Sequence, residues 1–314
     1  MKDSIIEGYR LDYQEAILLS KTSSTEELID LANDLRLHFR GKKLDTCMIF
    51  NAKSGKCSED CKWCSQSQYH SSEVAVYDLV EYTDLKDDVQ IASDRGIDMF
   101  SLVTSGRKLS PKNIQGATAI LKQIKAGYPN LGCCASMGLL NRGELQQLYD
   151  AGARRYHCNI ETAPSRFSQL CTTHTLEEKI KTIKNAQAVG LMVCSGGIIG
   201  MGETEEQRIE MAILLQELGI RSIPINLLNP IKGTPLENAQ SLSDGEVLRS
   251  FALFRILNPE ADIRLAGGRL RLHSIQDQVF KAGVSASIVG NYLTTLGVDL
   301  DTDLKNFRAK GYTL

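Results

Sequence analysis

Short apolar runs alternate with amphipathic helical stretches along most of this 314-residue chain, and this alternation restricts its fold more than any other feature. The apolar runs are rich in Val and Ile and mostly lack polar alternation, which is typical of parallel strands covered on both faces. Eight candidate strands lie at 46–51, 97–104, 131–137, 155–161, 191–199, 222–228, 262–266 and 286–290. Helical stretches lie between them at 111–126, 141–151, 176–189, 205–218, 245–257 and 272–282.

Eight strands that alternate with helices over about 250 residues predict an α/β fold of the (β/α)8 TIM-type barrel class. A doubly wound open sheet is the structural alternative. Two helical patterns precede the barrel, at 4–20 and 24–39, and the second begins with a capping box of Ser24 and Glu27. We therefore expect an N-terminal helical extension over residues 1–40 and a barrel domain over residues 41–314.

Residues with unusual chemistry follow the predicted strands, at the end where barrel enzymes place their active sites. Three cysteines follow the first strand, at positions 57, 61 and 64. The later strands carry the stretch 101–107, Cys133 and Cys134, the stretch 158–161, Cys194, Asn226 and Arg264. The sequence thus predicts one site built from several strand ends.

Charge and composition exclude several classes of partner. A formal net charge of −2, 6% aromatic residues and a single Trp argue against a nucleic-acid-binding surface. The apolar runs are well short of the ~18 residues that a membrane span requires, and the N-terminal residues do not resemble a signal peptide. We therefore expect a cytoplasmic protein, and its odd number of cysteines, nine, favours metal binding or catalysis over a disulfide framework.

The three cysteines after the first strand are spaced C-x3-C-x2-C, with no fourth candidate ligand beside them. A structural zinc site needs four ligands, usually supplied as two pairs. Three thiolates on a four-iron cluster leave one iron open, and that iron can bind a small molecule and pass it an electron. A zinc knuckle or a chance cluster is the alternative interpretation of Cys57, Cys61 and Cys64.

The loop at 53–67 resembles the K-(S/T)-G-x-C-x-E-D-C-x-(Y/W)-C-x-Q-S loop of the biotin synthase family, within the radical S-adenosylmethionine superfamily. Trp63, just before the last cysteine, is part of that pattern. The resemblance extends over roughly residues 45–310 and includes the segments 103–107, 159–162, 171–175, 193–203, 224–226, 233–236, 263–265 and 293–295.

The resemblance implies a reaction. Cys57, Cys61 and Cys64 would bind a [4Fe-4S] cluster that, when reduced, cleaves S-adenosylmethionine into methionine and a 5′-deoxyadenosyl radical. The radical would take hydrogen from the C9 methyl of dethiobiotin, and an auxiliary iron–sulfur cluster would supply the sulfur. A second S-adenosylmethionine would activate C6, and ring closure would give biotin. The family also implies a reducing protein of flavodoxin or ferredoxin type and a homodimer.

The resemblance also assigns residues to the cofactor and the substrate. S-adenosylmethionine would contact Asn159, Glu161, Gly197, Ile199, Gly200 and Glu203. Asn159 and Asn226 would face the ureido ring of dethiobiotin, because an amide offers both a donor and an acceptor to a cyclic urea. Each could instead cap a turn or a strand end. Glu161 stands where the family has Asp, and Lys179, where many members have Arg, stays outside the predicted site.

The predicted auxiliary cluster departs from the family. Cys134, Cys194 and Arg264 match three of its four ligand positions and are the predicted catalytic residues. The fourth position, a cysteine in the family, is Ser101 here. Serine is a poor iron ligand unless it is deprotonated.

Three solutions to the missing cysteine stay open. Ser101 could bind through oxygen, Cys133 or Cys158 could substitute, or the cluster could be larger than [2Fe-2S] and carry an extra sulfide. We include Cys158 in the predicted ligand set, although alternation along a strand places it opposite Asn159 unless a bulge intervenes. Alternation also lets only one of Cys133 and Cys134 face inward. Cys47 and Cys171 are expected to be small buried apolar residues.

Two other functions compete with this interpretation. One is a radical S-adenosylmethionine enzyme of the same subgroup, of hydrogenase-maturation or mutase type, with a different substrate. The other is an iron–sulfur electron carrier or a zinc-binding module without catalytic activity. Release of methionine from S-adenosylmethionine distinguishes the enzymes from the carrier, which would release none.

Overall fold

Eight parallel strands close into a barrel, which confirms the predicted TIM-type fold. The computed structural model describes residues 1–294 and 297–314, so Thr295 of the matching segment 293–295 lies outside the described residues. The strands are β1 Asp45–Lys53, β2 Met99–Thr104, β3 Gly132–Ser136, β4 Ala153–His157, β5 in two segments (Met192–Cys194 and Gly197–Ile199), β6 Ser222–Leu227, β7 Asp262–Leu265 and β8 Ala286–Val289. Each strand pairs with its neighbour in chain order, and β8 pairs with β1.

Helices cover the outside of the barrel, as the alternation predicts. They are α1 Lys2–Ile6, α2 Tyr13–Thr22, α3 Thr25–Arg40, α4 Tyr82–Asp94, α5 Pro111–Gly127, α6 Arg142–Asp150, α7 Phe167–Leu170, α8 Leu176–Ala188, α9 Glu205–Glu217, α10 Asp244–Leu257, α11 Gln276–Lys281 and α12 Leu300–Ala309. Short 3-10 turns lie at Pro164–Arg166 and Arg269–Leu272. The apolar sides of the helices and the outward faces of the strands form the main core.

The N-terminal extension differs from the prediction at its start. The pattern at 4–20 predicted one helix, but the chain forms α1 and then α2. The break follows from Asp12, whose carboxylate accepts the Glu15 amide at 2.9 Å while the Glu15 carboxylate accepts the Asp12 amide at 2.9 Å. Such a capping box begins a new helix, so the helical spacing of apolar residues concealed a boundary. The predicted box of Ser24 and Glu27 does begin α3.

The fifth strand is interrupted where one continuous strand was predicted. A Cβ atom on Gly196 would lie 2.0 Å from the carbonyl oxygen of Pro224, so only glycine allows β6 to approach this closely. The Ser195 amide donates to Ser222 O at 2.9 Å and the Gly196 amide to the side chain of Asn159 at 3.0 Å. The interruption therefore changes the partners of the strand without opening the barrel.

The barrel interior contains polar residues and thiols. A cavity of about 440 Å³ begins among these side chains and opens at the C-terminal ends of the strands. None of the helices within the described residues has the length and apolarity that crossing a bilayer requires.

Candidate active site

One cavity brings together most of the predicted site residues. Those that line it are Cys57, Cys61, Cys64, Cys134, Cys158, Asn159, Glu161, Cys194, Asn226 and Arg264. The three loop cysteines are half-buried at its mouth, whereas Cys134, Cys194 and Arg264 are 2%, 5% and 1% exposed inside the barrel. The site therefore has two thiol clusters on one cavity.

The loop after β1 is folded by its own hydrogen bonds. Gly55 and Lys56 both have positive φ, at 73° and 47°, and turn the chain sharply before the first cysteine. The side-chain oxygen of Gln66 accepts the Gly55 amide at 3.0 Å and the Ser54 hydroxyl at 3.2 Å. The Cys57 amide donates to Gln66 O at 2.9 Å. These bonds hold the loop so that its three thiols face one space.

The segment before α8 supports this loop. The Asp60 carboxylate accepts the backbone amides of Thr172 and Thr173 at 2.9 and 3.2 Å. Nδ1 of His174 lies 2.5 Å from the Glu59 carboxylate, which also accepts the Thr173 hydroxyl at 2.9 Å. The Glu-Asp pair inside the cysteine loop therefore joins it to the 171–175 segment, which is a structural role for both carboxylates.

Cys171 is buried, as expected, but it is not simply an apolar core residue. Its sulfur lies 3.7 Å from the Cys61 sulfur and 3.3 Å from Nδ1 of His174. The hydrogen bond from Cys61 and the contact with His174 lower the pKa of Cys171 to about 4, against the raising effect of burial. The Cys-x-x-His spacing of 171–174 is the sequence signal that could have identified this contact.

The wall beside the loop contains the predicted cofactor residues. Asn159 accepts the Gly196 amide at 3.0 Å and donates to Glu161 at 3.3 Å. Lys179, which the sequence analysis left out, is buried on the cavity with its amine 3.7 Å from the Glu161 carboxylate. Burial alone would lower the pKa of Lys179, but the Glu161 carboxylate and the nearby cysteines together outweigh burial and raise the pKa. Lys179 therefore presents a cation at the cavity wall.

Asn226 uses its amide on the backbone. It donates to Gly197 O at 3.1 Å and accepts the Gly267 amide at 2.9 Å. The alternative in which the asparagines hold strand ends is thus realised for both Asn159 and Asn226, yet both also line the cavity. Each amide can make more than two hydrogen bonds, so these contacts leave capacity for a ligand.

The segment 197–203 meets the cavity through Ile198 rather than through Gly197, Ile199, Gly200 or Glu203. The Glu203 carboxylate points back to the segment and accepts the amides of Gly200 and Met201, each at 2.7 Å. It also pairs with Arg208 at 3.1 Å. Glu203 therefore supports the backbone of the cavity wall without lining the cavity itself.

The structure separates the adjacent cysteines on β3. Cys134 faces the cavity, whereas Cys133 packs in the main core outside the strands. Cys158 follows the last residue of β4 and lines the cavity, and burial raises the pKa of its thiol. Because the strand ends before Cys158, alternation along the strand does not determine where its side chain points.

Charged residues that the sequence analysis missed surround the deep cysteines. Asp45 binds Arg155 at 3.2 Å and also pairs with Arg264. Burial would raise the pKa of Asp45, but the two guanidinium groups outweigh it and hold that pKa well below its usual range. The Nε atoms of Arg155 and Arg264 are buried without a hydrogen-bond partner. Two donors therefore remain available inside the barrel.

These charges act on the deep thiols. Burial would raise the pKa of Cys194, but the His157 side chain and the two arginines outweigh it and lower the pKa to about 6. The Ser222 hydroxyl also donates to the Cys194 sulfur at 3.3 Å. Burial, with Cys47 and Cys194 nearby, raises the pKa of Cys134.

Both thiol clusters fit the groups that the sequence predicts. The loop offers three sulfur ligands to one space, which suits a four-iron cluster with one open iron. The deep cluster combines thiols with two unpartnered guanidinium donors, which suits an anionic iron–sulfur group.

Comparisons with known proteins agree with this chemistry. The family model of the Radical SAM superfamily matches residues 52–215, and that of the Biotin and Thiamin Synthesis associated domain matches residues 224–313. The biotin synthase of Parabacteroides distasonis is 47% identical over 314 residues, covering 100% of this chain and 96% of that protein. The biotin synthase of Porphyromonas gingivalis is 45% identical over 313 residues, covering 99% and 94%.

Solved structures share the fold at lower identity. Methylornithine synthase has a TM-score of 0.81 at 19% identity, covering 99% of this chain and 96% of that chain. The FeFe-hydrogenase maturase HydG from Carboxydothermus hydrogenoformans has a TM-score of 0.82 at 17% identity, covering 99% and 77%. These two likenesses concern the fold alone. From the family models and the full-length relatives, the chain belongs to the biotin synthase family of the radical S-adenosylmethionine superfamily.

Proposed function

We propose that this protein converts dethiobiotin into biotin by radical insertion of sulfur. The observation that carries the proposal is the pair of thiol clusters on one cavity, three half-buried thiols at its mouth and further thiols beside Arg264 inside it. When bound, the first cluster with S-adenosylmethionine supplies a radical that removes hydrogen, and the auxiliary cluster supplies the sulfur. A cavity inside a closed barrel suits this chemistry because it keeps water and other hydrogen donors away.

The chain's own residues bind and orient. Cys57, Cys61 and Cys64 would hold the first cluster. Asn159, Glu161 and Lys179 would orient the cofactor, since an amide, a carboxylate and a buried ammonium meet at that wall. The Lys179 charge suits a carboxylate, although it lacks the bidentate geometry of Arg.

The deeper residues would hold the sulfur source and the substrate. Cys134, Cys194 and Arg264 would bind the auxiliary cluster, and Asn159 and Asn226 would contact the ureido ring. Both amides already hold β5 and its neighbours, which fixes their orientation before a ligand arrives. A reducing protein of flavodoxin or ferredoxin type and a homodimeric assembly complete the proposal and rest on the family resemblance.

Another enzyme of the same superfamily remains the second candidate because Ser101 stands at a ligand position of the auxiliary cluster. Such an enzyme would cleave S-adenosylmethionine without forming biotin. The presence of two cysteines, Cys134 and Cys194, beside Arg264 favours the biotin synthase reaction.

Two variants test the proposal. Anaerobically reconstituted protein is supplied with dithionite, S-adenosylmethionine and dethiobiotin, and methionine and biotin are both measured. We expect Cys61→Ala to release no methionine and Cys194→Ala to release methionine but form no biotin, because only the second removes the sulfur source. Methionine release without biotin from the unaltered protein would favour the second candidate. Biotin formation by Cys194→Ala would contradict the role of Cys194.

A further inference from the structure

The position of Ser101 leaves the auxiliary site one thiol short of the family pattern. Ser101 is 3% exposed, lies beside Cys134 in the strand pairing, and lines the cavity. A neutral hydroxyl binds iron poorly, so a thiolate from another interior position would be the better iron ligand. Cys133 packs in the outer core, and Cys158 lies three residues beyond Arg155, the β4 partner of Cys134. Neither of the two nominated thiols therefore lies level with Cys134 inside the barrel.

Strand pairing identifies the thiols that share a level inside the barrel. In such a barrel, four interior side chains of one layer come from alternate tilted strands. Cys47 on β1 pairs with Met99 on β2, which in turn pairs with Gly132 on β3. Cys134 lies two residues after Gly132 on the same strand. Cys134 pairs with Arg155 on β4, which in turn pairs with Met192 on β5. Cys194 again lies two residues after that partner.

The same shift of two residues for every second strand continues around the rest of the barrel. Cys194 pairs with Ser222 on β6, which pairs with Asp262 on β7, two residues before Arg264. Arg264 pairs with Ala286 on β8, which pairs with Asp45 on β1, two residues before Cys47. The circuit closes on the residue where it began, so three cysteines and one arginine form a single interior layer. Ser101 lies on β2, between the strands that contribute to this layer.

Packing and charge agree with the pairing. Cys47 and Cys134 belong to a small cluster with Met99 that is separate from the main core. Cys47 is 6% exposed and lines the cavity. Arg155, Cys194 and Arg264 line the same cavity. Cys47 therefore shares the cavity with the same two guanidinium groups as Cys194.

The charge at this layer is suited to an anion. Arg155 and Arg264 share one carboxylate, Asp45. Their buried Nε atoms also lack partners. Thiolates and sulfide bound at this layer would therefore lie beside two cations that can donate hydrogen bonds to them.

We propose that Cys47 is the third cysteine ligand of the auxiliary iron–sulfur cluster, together with Cys134 and Cys194, and that it replaces the ligand lost at Ser101. This inference rests on the proposed function, because it assumes that the chain holds a second cluster. It assigns a ligand role to a residue that its sequence surroundings present as an ordinary core cysteine.

Cluster content tests the inference directly. The full chain is reconstituted anaerobically, and iron, sulfide and Mössbauer spectra are measured for the unaltered protein, Cys47→Ala, Cys47→Ser and Cys133→Ala. We expect both Cys47 variants to lose the iron and sulfide of the auxiliary cluster while they keep the first cluster. Cys133→Ala is the matched control, because it removes a buried thiol beside Cys134 that faces the outer core, and it should keep both clusters.

A separate measurement distinguishes loss of a ligand from loss of the fold. Methionine release from S-adenosylmethionine depends on the first cluster, so it should persist in the Cys47 variants. Two complete clusters in Cys47→Ala or Cys47→Ser would overturn the inference and leave the proposed function intact. Loss of the auxiliary cluster from Cys158→Ala but not from Cys47→Ala would overturn it as well. A single cluster in the unaltered protein would overturn the proposed function and this inference together.

Discussion

Glu203 shows how one buried side chain shapes the cavity without facing it. The side chains of Glu203 and Arg208 are 1% and 3% exposed, and their charges compensate each other in the interior. The carboxylate also accepts the amides of Gly200 and Met201, where the chain turns between β5 and α9. Its removal would leave a buried guanidinium and two buried amides without their acceptor.

We expect Glu203→Ala to lower the free energy of unfolding by about 3–5 kcal/mol, because it breaks a buried ion pair on one side only. Glu206→Ala, in the first turn of α9 and three residues after Glu203, is the control. Glu206 pairs with Lys21 at 3.7 Å on the surface, and such pairs contribute about 0–1 kcal/mol. Urea titration followed by circular dichroism measures both. Equal decreases in the free energy of unfolding of the two variants would show that the buried pair contributes no more than the surface pair.

Single positions also show what the sequence could predict. Alternation established that only one of Cys133 and Cys134 faces inward, but the choice depends on the register of β3 against its neighbours. The proposed role of Cys47 is not contained in a local pattern for the same reason, since a layer of the barrel is defined by pairing around the whole circuit. β4 ends at His157, so alternation along the strand cannot place the side chain of Cys158.

At the scale of elements, the interruption of β5 decides what the strand presents to the cavity. Its first segment places Cys194 in the deep layer, and its second places Ile198 at the wall. The sequence predicted one strand over 191–199 because the apolar run is continuous. The approach of Pro224 to Gly196 is a tertiary contact between distant parts of the chain, so a local pattern does not contain it.

We expect Gly196→Ala to destabilise the protein by at least about 1–3 kcal/mol, the usual cost of forcing extra atoms into a packed interior. The added Cβ would meet backbone, which a side-chain rotation cannot relieve. Gly245→Ala is the control, because nothing lies within 4 Å of its added Cβ in the first turn of α10. It should be neutral or stabilising by roughly 0.4–1 kcal/mol. Urea titration compares the two variants, and tolerance of Gly196→Ala would mean that β5 can move.

At the scale of the whole molecule, the N-terminal extension packs on the barrel's outer helices. α3 lies against α10, and ten residues of α10 are buried, so this helix is enclosed between the extension and the barrel. Arg249 of α10 donates to the carbonyl oxygens of Ser20 and Ser23 at 2.5 and 3.2 Å. The boundary at residue 40 stays a prediction, and this packing leads us to expect that the two parts unfold together.

One aliphatic side chain in the extension tests that expectation. Leu35 in α3 is fully buried, so Leu35→Ala should lower the free energy of unfolding by about 2–5 kcal/mol. The only tryptophan, Trp63, lies in the cysteine loop, and its fluorescence reports on the barrel end of the molecule. We expect urea titrations of Leu35→Ala to show the same shift by Trp63 fluorescence and by circular dichroism, because one cooperative unit has one transition.

Leu37→Ala is the matched control for Leu35→Ala, since Leu37 lies on the same helix and is 43% exposed. It should change the free energy of unfolding by no more than about 0.5 kcal/mol by either probe. A Leu35→Ala transition that shifts by circular dichroism but stays in place by Trp63 fluorescence would mean that the extension unfolds separately. In that case residues 1–40 would be a domain of their own, and the contacts of α3 with α10 would contribute little to the barrel that holds the site.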